Sequence, residues 1–332
     1  MTVPVRVTGA APRLPLVQRR RVGASGLEVS RLGLGTMMWG AETDAETAAE
    51  VLAAFVDAGG TLVETADAYA EGAAQEVLGT LLAKVGRDRL VIAARCALPH
   101  GALGDGPARG ALLTALDATL VRLGTDHVDL WQLPAFDPSI PLDETLSAVQ
   151  VAVYQGKARY CGLVGPQGWQ LATVAERART LGPVAIPASA QVEYSLLHRA
   201  AEHELLPAAA HHGIGVLAWA PLGRGVLTGK YIGGTPADSR AASPTMAAYV
   251  EARRTERASR IVAAVMTAAD GLGTTPLAIA MAWVRDRPGV ASALVGARDA
   301  RQLAASLAAE PVTLPAEIRE ALDDVSAVPQ PA

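Results

Sequence analysis

The stretch ETADAYAEG, residues 64–72, places a carboxylate and a phenol five residues apart, directly after a strand-like apolar run. Glu64 and Tyr69 are parts from which an acid–base unit is made. A tyrosine hydroxyl gives or takes a proton at a substrate oxygen, and neighbouring charge sets how readily it does so. A second apolar run, LVIAA (90–94), is followed at once by a cation, Arg95. Metal chemistry has no comparable support. The six histidines form no H-E-x-x-H pattern and no ligand spacing includes a cysteine, so no metal is expected. Cys96 and Cys161 read as two reduced, mostly buried thiols.

Such side chains act together only if a framework brings strand ends together. Short apolar runs recur along the chain: RLGLGT (31–36), TLVET (61–65), LVIAA (90–94), VDLWQL (128–133), YCGLV (160–164), ASAQVE (188–193), IGVLAW (214–219) and SALVG (292–296). They are apolar on both faces, as strands of a parallel sheet covered by helices must be. Helix-period stretches lie between them. In DAETAAEVLAAFVDAG (44–59), Asp44 is a plausible N-cap and Gly59 a stop.

Eight strand–helix units predict an α/β fold, a (β/α)8 TIM barrel, rather than a doubly wound sheet. Between the seventh and eighth strands, residues 223–245 are rich in Gly, Pro and Ser and read as a long loop insertion over the barrel mouth, followed by a helix over roughly 246–270. Residues 1–18 read as a loosely ordered extension and 19–332 as a single domain. Net charge is −4, without a basic patch, which argues against nucleic acid and anionic membranes as partners. No window offers the roughly twenty uninterrupted apolar residues of a membrane span. The expectation is a cytoplasmic protein with a small-molecule substrate. In a barrel of this kind, chemistry sits where strands end and the following loops begin.

The later segments YSLLHR, ELLPAAAHHGIGVLAWAPLGRGVLTGKY and LVGARDARQL, with GASGLEVSRLGLGTMMWG (23–40), carry a resemblance over residues 21 to 325. In that order they resemble the aldo-keto reductase family, GASGLEVSRLGLGTMMWG supplying an N-terminal β-hairpin and the first barrel strand. The resemblance implies a (β/α)8 barrel that binds NADP(H) and reduces carbonyls. It places the catalytic tyrosine at Tyr69, the family's aspartate at Glu64, its lysine at Arg95 and its carbonyl-orienting histidine at Pro134. Glu64 and Arg95 keep the charges, and an Arg–carboxylate pair can be bidentate. Pro134 offers no side-chain donor or acceptor. His100, His198 and Asp137 are the polar groups near the expected mouth that can stand in for the histidine, each with a solvated-loop alternative. Trp39 divides evenly between packing and substrate contact.

The same resemblance places cofactor contacts at Gly35, Thr36, Met37, Gln191, Trp219, Leu222, Gly223, Gly225, Leu227, Gly296, Arg298 and Gln302. Trp219 takes the position that stacks on nicotinamide, and Arg298 the position that meets a 2′-phosphate. Val164 and Gly165 replace a Ser-Asn pair that holds the carboxamide, and Ala305 and Ser306 replace an adenine-side Glu-Asn pair. NADP(H) binding is therefore expected through a weakened set of contacts.

Three functions are open to such a chain. The preferred expectation is an enzyme of specialised natural-product biosynthesis that uses Tyr69, Glu64 and Arg95 for a non-reductive dehydration, cyclisation or isomerisation. The alternatives are an NADPH-dependent carbonyl or enone oxidoreductase with an altered tetrad, and a non-catalytic binding protein on the same barrel.

Overall fold

The computed structural model describes residues 14–97, 106–134, 137–237, 239–243 and 247–328. A two-stranded antiparallel hairpin, β1 (Arg19–Arg21) and β2 (Glu28–Ser30), precedes the barrel. The barrel strands are β3 (Leu32–Gly35), β4 (Leu62–Ala66), β5 (Val91–Arg95), β6 (Val128–Leu133), β7 (Ala158–Val164), β8 (Ser189–Glu193), β9 (Gly215–Trp219) and β10 (Val290–Val295). Each pairs in parallel with its neighbour and β10 pairs with β3, so the sheet closes on itself. This is a (β/α)8 TIM barrel.

The surrounding helices are α1 (Ala45–Asp57), α2 (Ala73–Val85), α3 (Arg109–Leu123), α4 (Leu142–Tyr154), α5 (Gly168–Leu181), α6 (Leu205–His212), α7 (Ala247–Glu251), α8 (Glu256–Gly271), α9 (Pro276–Arg285), α10 (Ala300–Leu307) and α11 (Ala316–Val325). Local chemistry sets their ends. Asp44 caps α1 by accepting from Thr47 N at 2.8 Å. The buried positions of α1, Ala48, Val51, Leu52, Phe55 and Val56, recur at three- and four-residue steps and face the sheet. The helix expected over 246–270 is two helices. Thr255 accepts from Ala258 N and starts α8 afresh after α7 ends. No single helix among the described residues is long and apolar enough to cross a membrane; α8 and α9 qualify only as a pair bent by 101°.

Two apolar layers result. The larger packs helices onto the outside of the strands. The smaller fills the barrel itself with Leu62, Ala93, Leu130, Leu217 and Leu294, and the hairpin adds Val22, Leu27 and Val29 to it. The hairpin therefore plugs the base and leaves the opposite end open. Residues 14–18 belong to the packed body: Val17 is buried and its N–H donates to Ala58 O at 2.8 Å, while Gln18 N donates to Glu310 Oε1 at 2.8 Å.

Candidate active site

At the open end a cavity of about 350 Å³ is lined by Gly35, Glu64, Tyr69, Arg95, Gln191 and Trp219, with Leu222, Arg224 and Gly296 among the other contributors. Glu64 points inward from β4, Arg95 from the end of β5 and Gln191 from β8. Tyr69 comes from the turn after β4. That turn continues through Ala70 (φ 49°) and Glu71 (φ 56°), both left-handed without being glycine. Ala220 (φ 51°) and Arg224 (φ 59°), beyond β9, complete the set of such residues in the described structure. All four lie in mouth loops, where backbone strain of this kind is retained to aim side chains.

The polar groups converge on one oxygen. Tyr69 Oη donates to Glu64 Oε1 at 2.9 Å, and Gln191 Nε2 donates to the same oxygen across the barrel at 3.2 Å. Arg95 Nη1 donates to Tyr69 Oη at 2.9 Å and lies 3.6 Å from Glu64 Oε1. Glu64 is 3% exposed and Arg95 29%, so the ion pair is shielded on the carboxylate side and reached by solvent on the guanidinium side. Burial pushes the Tyr69 phenol well above its usual range; Glu64 pushes it further and Arg95 opposes this. Burial alone would lower Arg95, but Tyr69 and Glu64 outweigh it and hold its guanidinium above the usual value. The resting site is thus a neutral phenol that gives its proton to a carboxylate and accepts from a guanidinium.

The remaining expected residues divide. Met37 and Leu222 line the cavity. Thr36 is buried beside it, with its N–H donating to Glu64 O at 3.0 Å. Gly223, Gly225 and Leu227 are buried in the turn Gly223–Thr228 that follows Leu222. Trp39 is fully buried and contributes nothing to the cavity wall; its loop bridges back through Thr43, so the indole packs in the core layer outside the strands. Pro134 and Asp137 line a different space, a cavity of about 20 Å³ under the β6–α4 connection. Ser139 satisfies Asp137 through its N–H at 2.8 Å and its hydroxyl at 2.6 Å, holding that carboxyl below its usual range. His198 is exposed and does not line the cavity. His100 lies outside the described residues.

The cavity also uses residues that sequence reasoning did not single out. Met38, Pro221, Met281, Leu294 and Val295 supply much of its apolar wall, and Arg224 sets its guanidinium 5.4 Å from the Trp219 ring centroid. Strand-end position pointed to the loop members. Met281 carries no such signal, being in the middle of α9. Cys96 adjoins the site, but burial, with Asp67 adding, pushes its thiol up to about 12. Both cysteines are free. No group of three or more metal-ligating side chains occurs among the described residues.

A nicotinamide dinucleotide can be tested against this surface. Gln191 Oε1 is buried without a hydrogen-bond partner among the described residues, which leaves an acceptor on the wall for a carboxamide. Trp219 presents an indole to the cavity, with Arg224 over its ring. Val164 and Gly165 add no polar side chain. The residues present fit the ring end of such a coenzyme, with fewer polar ligands than the family pattern supplies.

The sequence pattern of the aldo/keto reductase family matches residues 31–327. The chain belongs to that family. It is similar to an uncharacterized oxidoreductase, YrpG, of Bacillus subtilis (strain 168), at 34% identity over 92% of this chain and 94% of that protein. A probable voltage-gated potassium channel subunit beta from Oryza sativa subsp. japonica is 32% identical, covering 95% of this chain and 97% of its own. Aldo-keto reductase YhdN of Bacillus subtilis (strain 168) is 31% identical over 86% of each.

Proposed function

We propose that this aldo/keto reductase family member is a small-molecule oxidoreductase in which Tyr69 passes a proton between a substrate oxygen and Glu64. One observation carries the reading: the Tyr69 hydroxyl is held at 2.9 Å by both Glu64 Oε1 and Arg95 Nη1, on the wall that also bears Trp219. A substrate alcohol hydrogen-bonded to Tyr69 loses its proton to the phenol oxygen as the phenol gives its own to Glu64. In the reverse direction, starting from the protonated Glu64 that the forward step leaves, Tyr69 protonates a carbonyl oxygen as Glu64 returns its proton to the phenol and becomes the resting carboxylate again. Neither direction needs a free phenolate, which burial and Glu64 both oppose. Arg95 offsets negative charge gathering on the substrate oxygen. Met37, Met38, Pro221, Leu222 and Met281 suit a substrate with a largely hydrocarbon body. A bound nicotinamide coenzyme would supply or accept the hydride.

A second reading, non-reductive acid–base catalysis in specialised biosynthesis, is favoured by Gln191, whose amide donor is engaged by Glu64. It ranks below the first because a phenolate base, its simplest mechanism, is what burial and Glu64 work against. Steady-state assays over a panel of apolar carbonyls and alcohols, with and without nicotinamide coenzyme, separate the two. Tyr69→Phe is expected to lower kcat/KM by about 10²–10⁴-fold. Full turnover without coenzyme sinks the oxidoreductase reading, and unchanged turnover in Tyr69→Phe sinks both.

A further inference from the structure

We propose that Glu42 turns the Arg298 corner of the groove against a 2′-phosphate, so that the chain takes NAD(H), with its free 2′-hydroxyl, ahead of NADP(H). This rests on the reading above that the groove holds a nicotinamide dinucleotide. It departs from the NADP(H) expected from Arg298 alone.

Arg298 stands two residues beyond Gly296 of the cavity wall, just before α10. Its Nη1 lies 3.6 Å from Glu42 Oε2, with the two side chains 25% and 29% exposed. Glu42 comes from the loop between β3 and α1 and is held in place. Ser243 Oγ donates to its other oxygen at 3.3 Å, and Thr43 Oγ1 donates to Arg298 O at 3.4 Å, so two mouth loops are tied together at this corner. A phosphate dianion brought against this guanidinium meets a fixed carboxylate a few ångströms away. At a half-buried position solvent screens that repulsion only in part.

At the start of α10, two of the backbone donors near Arg298 are already taken. Asp299 caps the helix, accepting from Gln302 N at 2.8 Å, and Gln302 Oε1 accepts from Arg298 N at 3.2 Å. These backbone donors, of the kind a helix N-terminus turns towards an anion, are engaged within the turn. Asp299 also adds a second carboxylate. Its neighbour Arg301, 3.9 Å away, is 95% exposed and compensates weakly. A ribose 2′-hydroxyl meets the opposite situation, because it donates and a carboxylate accepts. Dinucleotide sites generally divide on this chemistry, with an acidic residue for the 2′-hydroxyl and arginine for the 2′-phosphate.

Isothermal titration of the full chain with NADH, NADPH, ADP and 2′,5′-ADP tests the proposal without any turnover. ADP and NADH are expected to bind about tenfold or more tightly than their 2′-phosphorylated counterparts. Glu42→Gln should raise 2′,5′-ADP affinity about tenfold while ADP stays within about threefold, and Glu42→Asp, which keeps the charge, should keep the preference. Tighter binding of 2′,5′-ADP by the unaltered chain, or an unchanged ratio in Glu42→Gln, overturns the proposal. A 2′,5′-ADP affinity that rises relative to ADP in Glu42→Gln, with NADH binding no tighter than ADP, would sustain the Glu42 role while the nicotinamide reading fails. No binding of any of the four ends both.

Discussion

One extra methylene at position 64 changes which atom the carboxylate reaches. With glutamate there, Oε1 meets the Tyr69 hydroxyl directly, and Arg95 and Gln191 gather on the same atoms. Glu64→Asp withdraws that oxygen, and kcat/KM is expected to fall about 10- to 100-fold, read in the same steady-state assay as Tyr69→Phe. The raised phenol has a pH consequence with a definite sign. An unfolded chain releases a tyrosine proton near pH 10, whereas folded Tyr69 keeps it. Its contribution to stability is therefore fully present below about pH 10 and declines at higher pH as the unfolded chain gains by ionising. Absorbance titration near tyrosinate wavelengths should show the same number of groups ionising around pH 10 in the parent and in Tyr69→Phe; one fewer in the variant contradicts the buried phenol. Glu64, Tyr69 and Arg95 were legible because charge and phenol stood at strand ends. Trp39 was not, since an aromatic at a strand end faces either the mouth or the helix layer, and only the bridge to Thr43 decides between them. The turn of Gln191 towards Glu64 depends on two strands on opposite sides of the barrel and has no local signature.

At the scale of elements, apolar runs located the strands closely because parallel strands must be buried on both faces. VDLWQL coincides with β6, Val128–Leu133, and the others differ by one or two residues at an end. The α7–α8 break was missed because Thr255 acts through its side-chain cap, which an apolar pattern does not register. Helix packing gives a test in which two effects oppose each other. Gly79 lies in α2 where a Cβ would stand 2.5 Å from Arg122 O and 3.0 Å from Leu123 C, backbone atoms at the end of α3. Alanine gains about 1 kcal/mol of helix propensity. Overpacking against a fixed backbone costs about 1–3 kcal/mol. Packing should win, so Gly79→Ala is expected to lower the urea midpoint; a rise would mean that the α2–α3 contact yields.

For the whole molecule, the segments around Gln18 and Glu310 are joined to the barrel through buried charge. Arg285 is 1% exposed at its side chain, and its guanidinium donates to Ala309 O at 2.6 Å, Glu310 O at 2.9 Å and Val312 O at 2.6 Å, besides pairing with Asp286. Arg31 Nε and Gln18 N both donate to Glu310 Oε1, at 2.6 and 2.8 Å. Arg285→Leu takes this donor from Ala309 O and Val312 O, while Glu310 O keeps Arg31 Nη2 and Asp286 keeps Arg20 and Arg31 nearby. It should cost about 1–3 kcal/mol, the cost of leaving buried acceptors unmet, seen as a lowered Tm. Composition foretold none of this, because most arginines of a chain sit in solvent and nothing local marks the one that does not. The hairpin that plugs the base has a consequence in time as well as in shape. Among the described residues, the cavity at Tyr69 opens at the end away from the hairpin, beside Leu222 and Arg224. Whatever lies deepest arrives first and departs last, so visitors form a queue, and the pace of the whole cycle can be set by the exit of its innermost guest.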